Sequence, residues 1–284
     1  MECWWYIAVV LSFCVLNQVT AINTDCPHPE DSYPCYCDED EERTTMHCNY
    51  LQENKQIRDG LGRISDYKLS TVSIWMFDTG VIKSDAFKGP QINEIVFSHS
   101  TINMESPPFL GQEDYLNRIT FLSCYDEEDL LNTWSLGHLN KLKEVTFEKN
   151  DIKVLKNDWI SSVGPMLRSV TFDNCKIEKL EDKVFSKLTS MTTIFLMDNK
   201  ITTISRSMFP RPAENLRSIS MKECYDFWGW VAETFGCCTF PSLHSRPRFE
   251  KAWMPASVIQ DQFNLMPNPV RAILAARCAV QSTN

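Results

Sequence analysis

Two stretches of this chain superimpose: LKEVTFEKNDIKVL, residues 142–155, and LRSVTFDNCKIEKL, residues 167–180. Leucine, valine, phenylalanine, isoleucine and leucine recur in step, at Leu142/Leu167, Val145/Val170, Phe147/Phe172, Ile152/Ile177 and Leu155/Leu180. At one point of this frame Asn150 stands opposite Cys175. An amide and a thiol share little except small size and an ability to bond with backbone groups.

Working outward, the pattern L-x-x-L-x-L-x-x-N-x-L, with relaxed apolar identity, begins at Leu69, Ile92, Leu116, Leu142, Leu167, Met191 and Leu216. The steps are 23, 24, 26, 25, 24 and 25 residues, inside the range of roughly 20–29 for leucine-rich repeats. Eighteen residues after the first six starts stand Phe87, Leu110, Trp134, Ile160, Phe185 and Phe209. Each repeat is expected to give a strand with alternate residues inward, such as Val145 and Phe147, then a return along the convex side. One repeat cannot bury its apolar face alone, so stacked repeats share a core. The expected fold is an α/β solenoid, a leucine-rich repeat horseshoe of about seven repeats (69–223) with a parallel concave sheet.

The ninth position of the repeats reads Phe77, Ser100, Cys124, Asn150, Cys175, Asn199 and Cys224. The chain leaves the strand there, and buried backbone groups need partners. A stacked ladder of Asn amides supplies them, and a buried thiol fits the same slot. Cys124, Cys175 and Cys224 lie two repeats apart, roughly 10 Å at ordinary strand spacing, too far for a disulfide, which needs Cα atoms within about 7 Å. Cys124 and Cys175 are therefore expected to be free and inert.

Both ends carry cysteine. Residues 1–21 combine an apolar run with small residues at Val19 and Ala21, as in a secretion signal. Removing them with Glu2 moves the formal charge from −9 to −8. Residues 22–68 hold Cys26, Cys35, Cys37 and Cys48, a disulfide framework in an exported chain. Residues 224–284 hold Cys224, Cys237, Cys238 and Cys278, expected to form two bridges of a C-terminal cap. Three connectivities stay open within each set. The Cys26-Pro27, Cys35-x-Cys37 and Cys48 arrangement resembles the N-terminal flanking module of extracellular leucine-rich repeat proteins. In overall organisation the chain is also similar to secreted arthropod repeat proteins related to the non-catalytic subunit of Oplophorus luciferase. That resemblance implies membership of an enzyme complex and carries over no catalytic residue.

Chemistry-bearing motifs are thin. The histidines (28, 47, 99, 138 and 244) are scattered, without His-x-x-x-His spacing, and no Gly-x-Ser-x-Gly or phosphate loop occurs. Asp38–Glu42 lacks the spacing of a calcium loop. No catalytic residue, metal or cofactor is expected, and the acidic balance argues against nucleic acid. No later segment is apolar enough for a membrane anchor.

What remains is a surface. Charged residues flanking the inward positions number six basic and six acidic: Glu94, Arg118, Lys143, Glu144, Glu148, Lys149, Arg168, Asp173, Asp198, Arg217, Lys222 and Glu223. Apolar residues gather at Trp75, Val96 and Leu122, and again at Phe195 with Met197. Outward aromatic residues make good anchors. The expected protein-binding residues are Trp75, Val96, Arg118, Leu122, Glu148, Asp173, Phe195 and Met197. They point to a secreted module that binds an extracellular protein ligand, or to a non-catalytic subunit of a secreted enzyme.

Overall fold

The computed structural model describes residues 22–40, 43–78, 80–124, 136–157, 166–210 and 213–221. The expected signal segment, the C-terminal cap with Cys224, Cys237, Cys238 and Cys278, and the convex residues Trp134 and Ile160 lie outside them.

Alternation of apolar and polar residues every second position makes each repeat start a strand. The strands are β1 (Tyr36–Asp40), β2 (Arg43–Asn49), β3 (Lys68–Trp75), β4 (Gln91–Ser98), β5 (Arg118–Leu122) and β6 (Glu144–Glu148). They continue with β7 (Val154–Leu155), β8 (Ser169–Asp173), β9 (Lys179–Leu180), β10 (Thr193–Phe195) and β11 (Ser218–Ser220). Nine form one sheet in the order β1-β2-β3-β4-β5-β6-β8-β10-β11, and β7 pairs with β9 on the opposite side of the coil. Among the described residues only the β1–β2 pairing is antiparallel; from β2 onward neighbours run parallel. Each of the seven repeat starts stands at or two residues before a parallel strand, and all are buried.

Register fixes two inward columns. Met46, Val72, Ile95, Ile119, Val145, Val170, Ile194 and Ile219 form one, all buried. The second runs Cys48, Ile74, Phe97, Phe121, Phe147 and Phe172. Its four rings stack face to face, with centroids 5.4, 4.9 and 5.3 Å apart in turn. Leu196 follows, also buried. The strand spacing of about 4.8 Å sets that stacking distance, so one residue choice per repeat builds a continuous aromatic spine.

The convex column is filled as expected by Phe87, Phe185 and Phe209, each buried. In the second repeat Phe109 takes the slot instead of Leu110: Phe109 is buried and lies 5.4 Å from Phe87, whereas Leu110 is only partly covered.

At the strand exits the Asn/Cys interchange is explained. The residue before each ladder position is left-handed, with φ between 50° and 55° at Met76, His99, Ser123, Lys149, Asn174 and Asp198. Its N–H donates to the strand-end carbonyl of the following repeat, as from Ser123 to Glu148 and from Lys149 to Asp173. The next residue turns inward and bonds both ways. Asn150 Nδ2 donates to the carbonyls of Phe121 (2.9 Å) and Glu148 (3.1 Å), while its Oδ1 accepts from Cys124 N–H at 2.8 Å. Asn199 does the same with Phe172, Met197 and Cys175. Cys175 Sγ meets the equivalent carbonyls, of Phe147 at 3.3 Å and Asp173 at 3.4 Å, and Cys124 Sγ those of Phe97 and Leu122. The single S–H thus faces the two carbonyls that the amide serves with two N–H groups and donates to one or is shared between them, while the sulfur receives a backbone bond from the preceding ladder residue. Both thiols are free and buried.

The N-terminal end is closed by Cys26–Cys37 and Cys35–Cys48, with Cα separations of 5.6 and 4.4 Å. Cys48 belongs to the second inward column, so the Cys35 bridge seals the end of the aromatic spine. A short helix α1 (Pro29–Ser32) and α2 (Lys55–Leu61) cover the convex side of this end. Gly89, at φ +149°, passes so close to α2 that a Cβ there would lie 2.4 Å from the Leu61 carbonyl oxygen.

Two outcomes test the ladder. Cys175→Asn should fold with an unchanged or raised melting temperature, whereas Asn150→Ala should lose about 1–3 kcal/mol or more by orphaning buried backbone groups. Burial pushes both thiols from 9.0 up to about 11. The folded chain thus holds protons that the unfolded chain has released, so their contribution to stability is complete below pH 9 and lost towards about 11. Alkylation mapped by mass spectrometry near pH 8 should label neither Cys124 nor Cys175 until the chain is unfolded.

Candidate functional site, the concave sheet face

Residues alternating with the two inward columns project from the concave face in three columns of their own. The first runs Thr45, Thr71, Glu94, Arg118, Glu144, Ser169, Thr193 and Ser218. The second runs His47, Ser73, Val96, Thr120, Thr146, Thr171, Phe195 and Ser220. The third runs Asn49, Trp75, Ser98, Leu122, Glu148 and Asp173, with Met197 next.

All eight residues singled out from the sequence stand on this face. Trp75, Leu122, Glu148, Asp173 and Met197 share the third column, Val96 and Phe195 the second, and Arg118 the first. Each apolar member is half-buried against its neighbours. Among the twelve flanking charges, however, only Glu94, Arg118, Glu144, Glu148 and Asp173 project from strands. Lys143, Arg168 and Arg217 precede the strands, Lys149 and Asp198 occupy the turns after them, and Lys222 and Glu223 lie outside the described residues. The three columns themselves carry four carboxylates against one cation, and the described rim adds four cations and Asp198, so the acidic character belongs to the strands and not to the whole flanking set.

The columns handle charge differently. In the first, Arg118 lies between Glu94 and Glu144 and pairs with Glu94 at 3.2 Å. Signs alternate there, which suits cross-strand neighbours. In the third, Glu148 lies directly opposite Asp173. Lys149 reaches Glu148 at 2.9 Å from the turn, and the Asp173 carboxylate has no hydrogen-bond or ion-pair partner among the described residues. Partial burial and the adjacent Glu148 raise the Asp173 carboxyl above its ordinary range, with Lys149 offsetting part of this.

At the N-terminal end stands an aromatic group that the sequence pattern did not single out. Tyr36 stacks on His47 with centroids 4.9 Å apart, and Tyr50 packs edge-on against Trp75 at 4.7 Å. Tyr36, Tyr50 and Met76 are about half exposed (53%, 56% and 45%). Asn49 lies among them, with Nδ2 3.2 Å from the Tyr36 hydroxyl and a buried Oδ1 that has no partner. The signal missed was positional: Tyr50 and Met76 are left-handed turn residues, placed at the rim rather than in the strand alternation.

Among the described residues no group of three His, Cys, Asp or Glu side chains is arranged to hold a metal ion. No described helix is long and apolar enough to cross a membrane.

The repeat geometry, the parallel sheet and the ladder define a leucine-rich repeat fold. Residues 130–229 match, in six copies, the family model described as the BspA type leucine rich repeat region. No curated protein matches the sequence. Among solved structures it is similar to human 5T4 (Wnt-activated inhibitory factor 1, trophoblast glycoprotein), at 15% identity over 70% of this chain and 86% of that one, with a TM-score of 0.45. It is also similar to a chain of the Drosophila Toll–Spatzle complex, at 11% identity and a TM-score of 0.33, covering 66% of this chain and 34% of that one.

The Glu148–Asp173 contact yields a prediction with a definite sign. Asp173→Asn should raise the melting temperature at pH 7. A group whose folded pKa is raised contributes least above that pKa, so the gain should shrink as pH falls through the carboxylate range.

Proposed function

We propose that this protein is an extracellular protein-binding module that presents its concave sheet to a protein ligand. Leucine-rich repeat arrays are generally non-catalytic binding surfaces, and extended concave faces are what the solenoid architecture offers. The observation that carries the reading is the third column, where Trp75, Leu122 and Met197 stand half-buried on a face with no covering element among the described residues. The two disulfides at the N-terminal end support an oxidising, extracellular setting. In this reading residues 1–21 are a secretion signal, 22–68 and 224–284 are caps, and 69–223 are the binding array. A non-catalytic subunit of a secreted enzyme would use the same face, and the identity of the bound protein separates the two.

The test is capture from the native extracellular fluid with the secreted chain, alongside Trp75→Ala and Phe195→Ala variants and a convex control, Val154→Ala, whose side chain is exposed on β7. A protein retained by the wild type and the control but lost from the concave variants, with melting temperatures little changed, is the expected result. Equal retention by every variant would place the binding surface elsewhere.

A further inference from the structure

The concave face also says what kind of ligand it suits. We propose that it receives a basic segment of the partner protein, laid across the strands along the third column, with a Lys or Arg between Glu148 and Asp173 and apolar side chains on either side. This rests on the concave-face reading above and adds to it the chemistry of the occupant.

The first observation is the contrast between columns of one sheet. Parallel register puts Glu94, Arg118 and Glu144 side by side, and the sequence supplies alternating signs. The same register puts Glu148 beside Asp173, and the sequence supplies like signs. Like charges directly opposite are destabilising, and here partial burial of Asp173 adds to the cost. Lys149 sits on the rim and engages Glu148 at 2.9 Å, leaving Asp173 as the carboxylate open to a further cation.

The second observation is at the far end of the column. The Oδ1 of Asn49 is buried and unpartnered beside the Tyr36 hydroxyl, next to the Tyr50–Trp75 pair. With Asn49 Nδ2 donating to the Tyr36 hydroxyl, the free Oδ1 calls for an N–H or O–H donor. Arginine is a suitable donor, since its guanidinium also stacks on aromatic faces. A hydrogen-bond donor therefore suits Asn49 at the start of the column and a cation suits Glu148 and Asp173 near its other end, and a basic side chain serves at either place.

Between these ends the spacing is regular. From Trp75 to Met197 is five strand steps, roughly 24 Å at 4.8 Å each. About 16 helical residues or about seven extended ones cover that distance. In the second column Ser73, Thr120, Thr146 and Thr171 are small or β-branched, so Trp75 and Leu122 are the larger side chains beside them and remain only half-buried. A segment seated there meets Trp75 and Leu122, then the two carboxylates, then Met197 with Phe195 beside it. The four-to-one excess of carboxylates over cations in the columns favours a positive occupant.

The probe is a phage-displayed library of random peptides about 16 residues long, the span set by helical rise, selected on the secreted chain. Peptides rich in Lys or Arg interspersed with aromatic or aliphatic residues are expected. Their binding should weaken by about tenfold or more in the double variant Glu148→Gln/Asp173→Asn, the scale expected for losing interfacial charge partners. It should also fall steeply with salt. The neutral variant is close in shape to the wild type and relieves the repulsion, so loss of fold does not confuse the result. Selected peptides without basic residues that still need Trp75 and Leu122 would overturn the basic-segment proposal and leave the concave-face reading intact. Binding insensitive to both the carboxylate and the Trp75→Ala/Leu122→Ala variants would overturn both. A library that yields no binders would count against the proposal, because the column as described should hold an isolated segment.

Discussion

Everything in this molecule depends on how the chain leaves each strand. A left-handed residue ends the strand and hands its N–H to the next repeat, and the residue after it turns inward to bond backbone groups of two coils at once. Without that bridge the buried carbonyls at Phe97, Phe121, Phe147 and Phe172 would face an apolar interior with no partner. Asn150 and Asn199 supply a donor and an acceptor with full-strength bonds. Cys124 and Cys175 supply weaker versions of the same functions in less space. Alternation of amide and thiol along the ladder also means that each thiol's own N–H is received by an amide oxygen from the next repeat.

Backbone pairing of the strands sets their spacing and the ladder satisfies the chain where it leaves them, and that spacing has consequences on both faces. Inside, it places four phenylalanines at stacking distance, a column closed by the disulfide at Cys48. Outside, it lines up side chains that are far apart in sequence, so one substitution per repeat writes a column of chosen character. One column was given alternating charge and holds itself together. Another was given tryptophan, leucine, two carboxylates and methionine, which do not satisfy one another. That combination of like charges and half-buried apolar side chains is what the proposed binding face rests on.

Most of the fold was legible in the sequence because the repeat is periodic, and periodicity survives the loss of any single position. The inward Val145, Phe147, Val170 and Phe172, the free thiols and the interchange at Asn150 and Cys175 all follow from the repeat and the backbone's need for partners. Where the period slips, legibility fails: Phe109 fills the slot that counting assigned to Leu110. The pairing Cys26–Cys37 and Cys35–Cys48 was open for a different reason, since it depends on β1 folding back antiparallel onto β2. That hairpin also brings Tyr36 onto His47 and beside Asn49, so the aromatic end of the face emerges only in three dimensions. The concave placement of Trp75 through Met197 was readable from alternation, whereas the charge balance was not, because rim and strand residues look alike in sequence.

The most direct measurement is zero-length coupling of carboxylates to lysines in the complex with the natural partner, followed by mapping of the joined peptides. Such coupling joins a carboxylate to any amine in contact with it, as Glu148 to Lys149 within the chain, so only joins between the two chains report the interface. Peptides of the partner joined to Glu148 or Asp173 are the result this account predicts. Coupling confined to convex carboxylates such as Glu178 and Glu181, with the concave strands untouched, would contradict it.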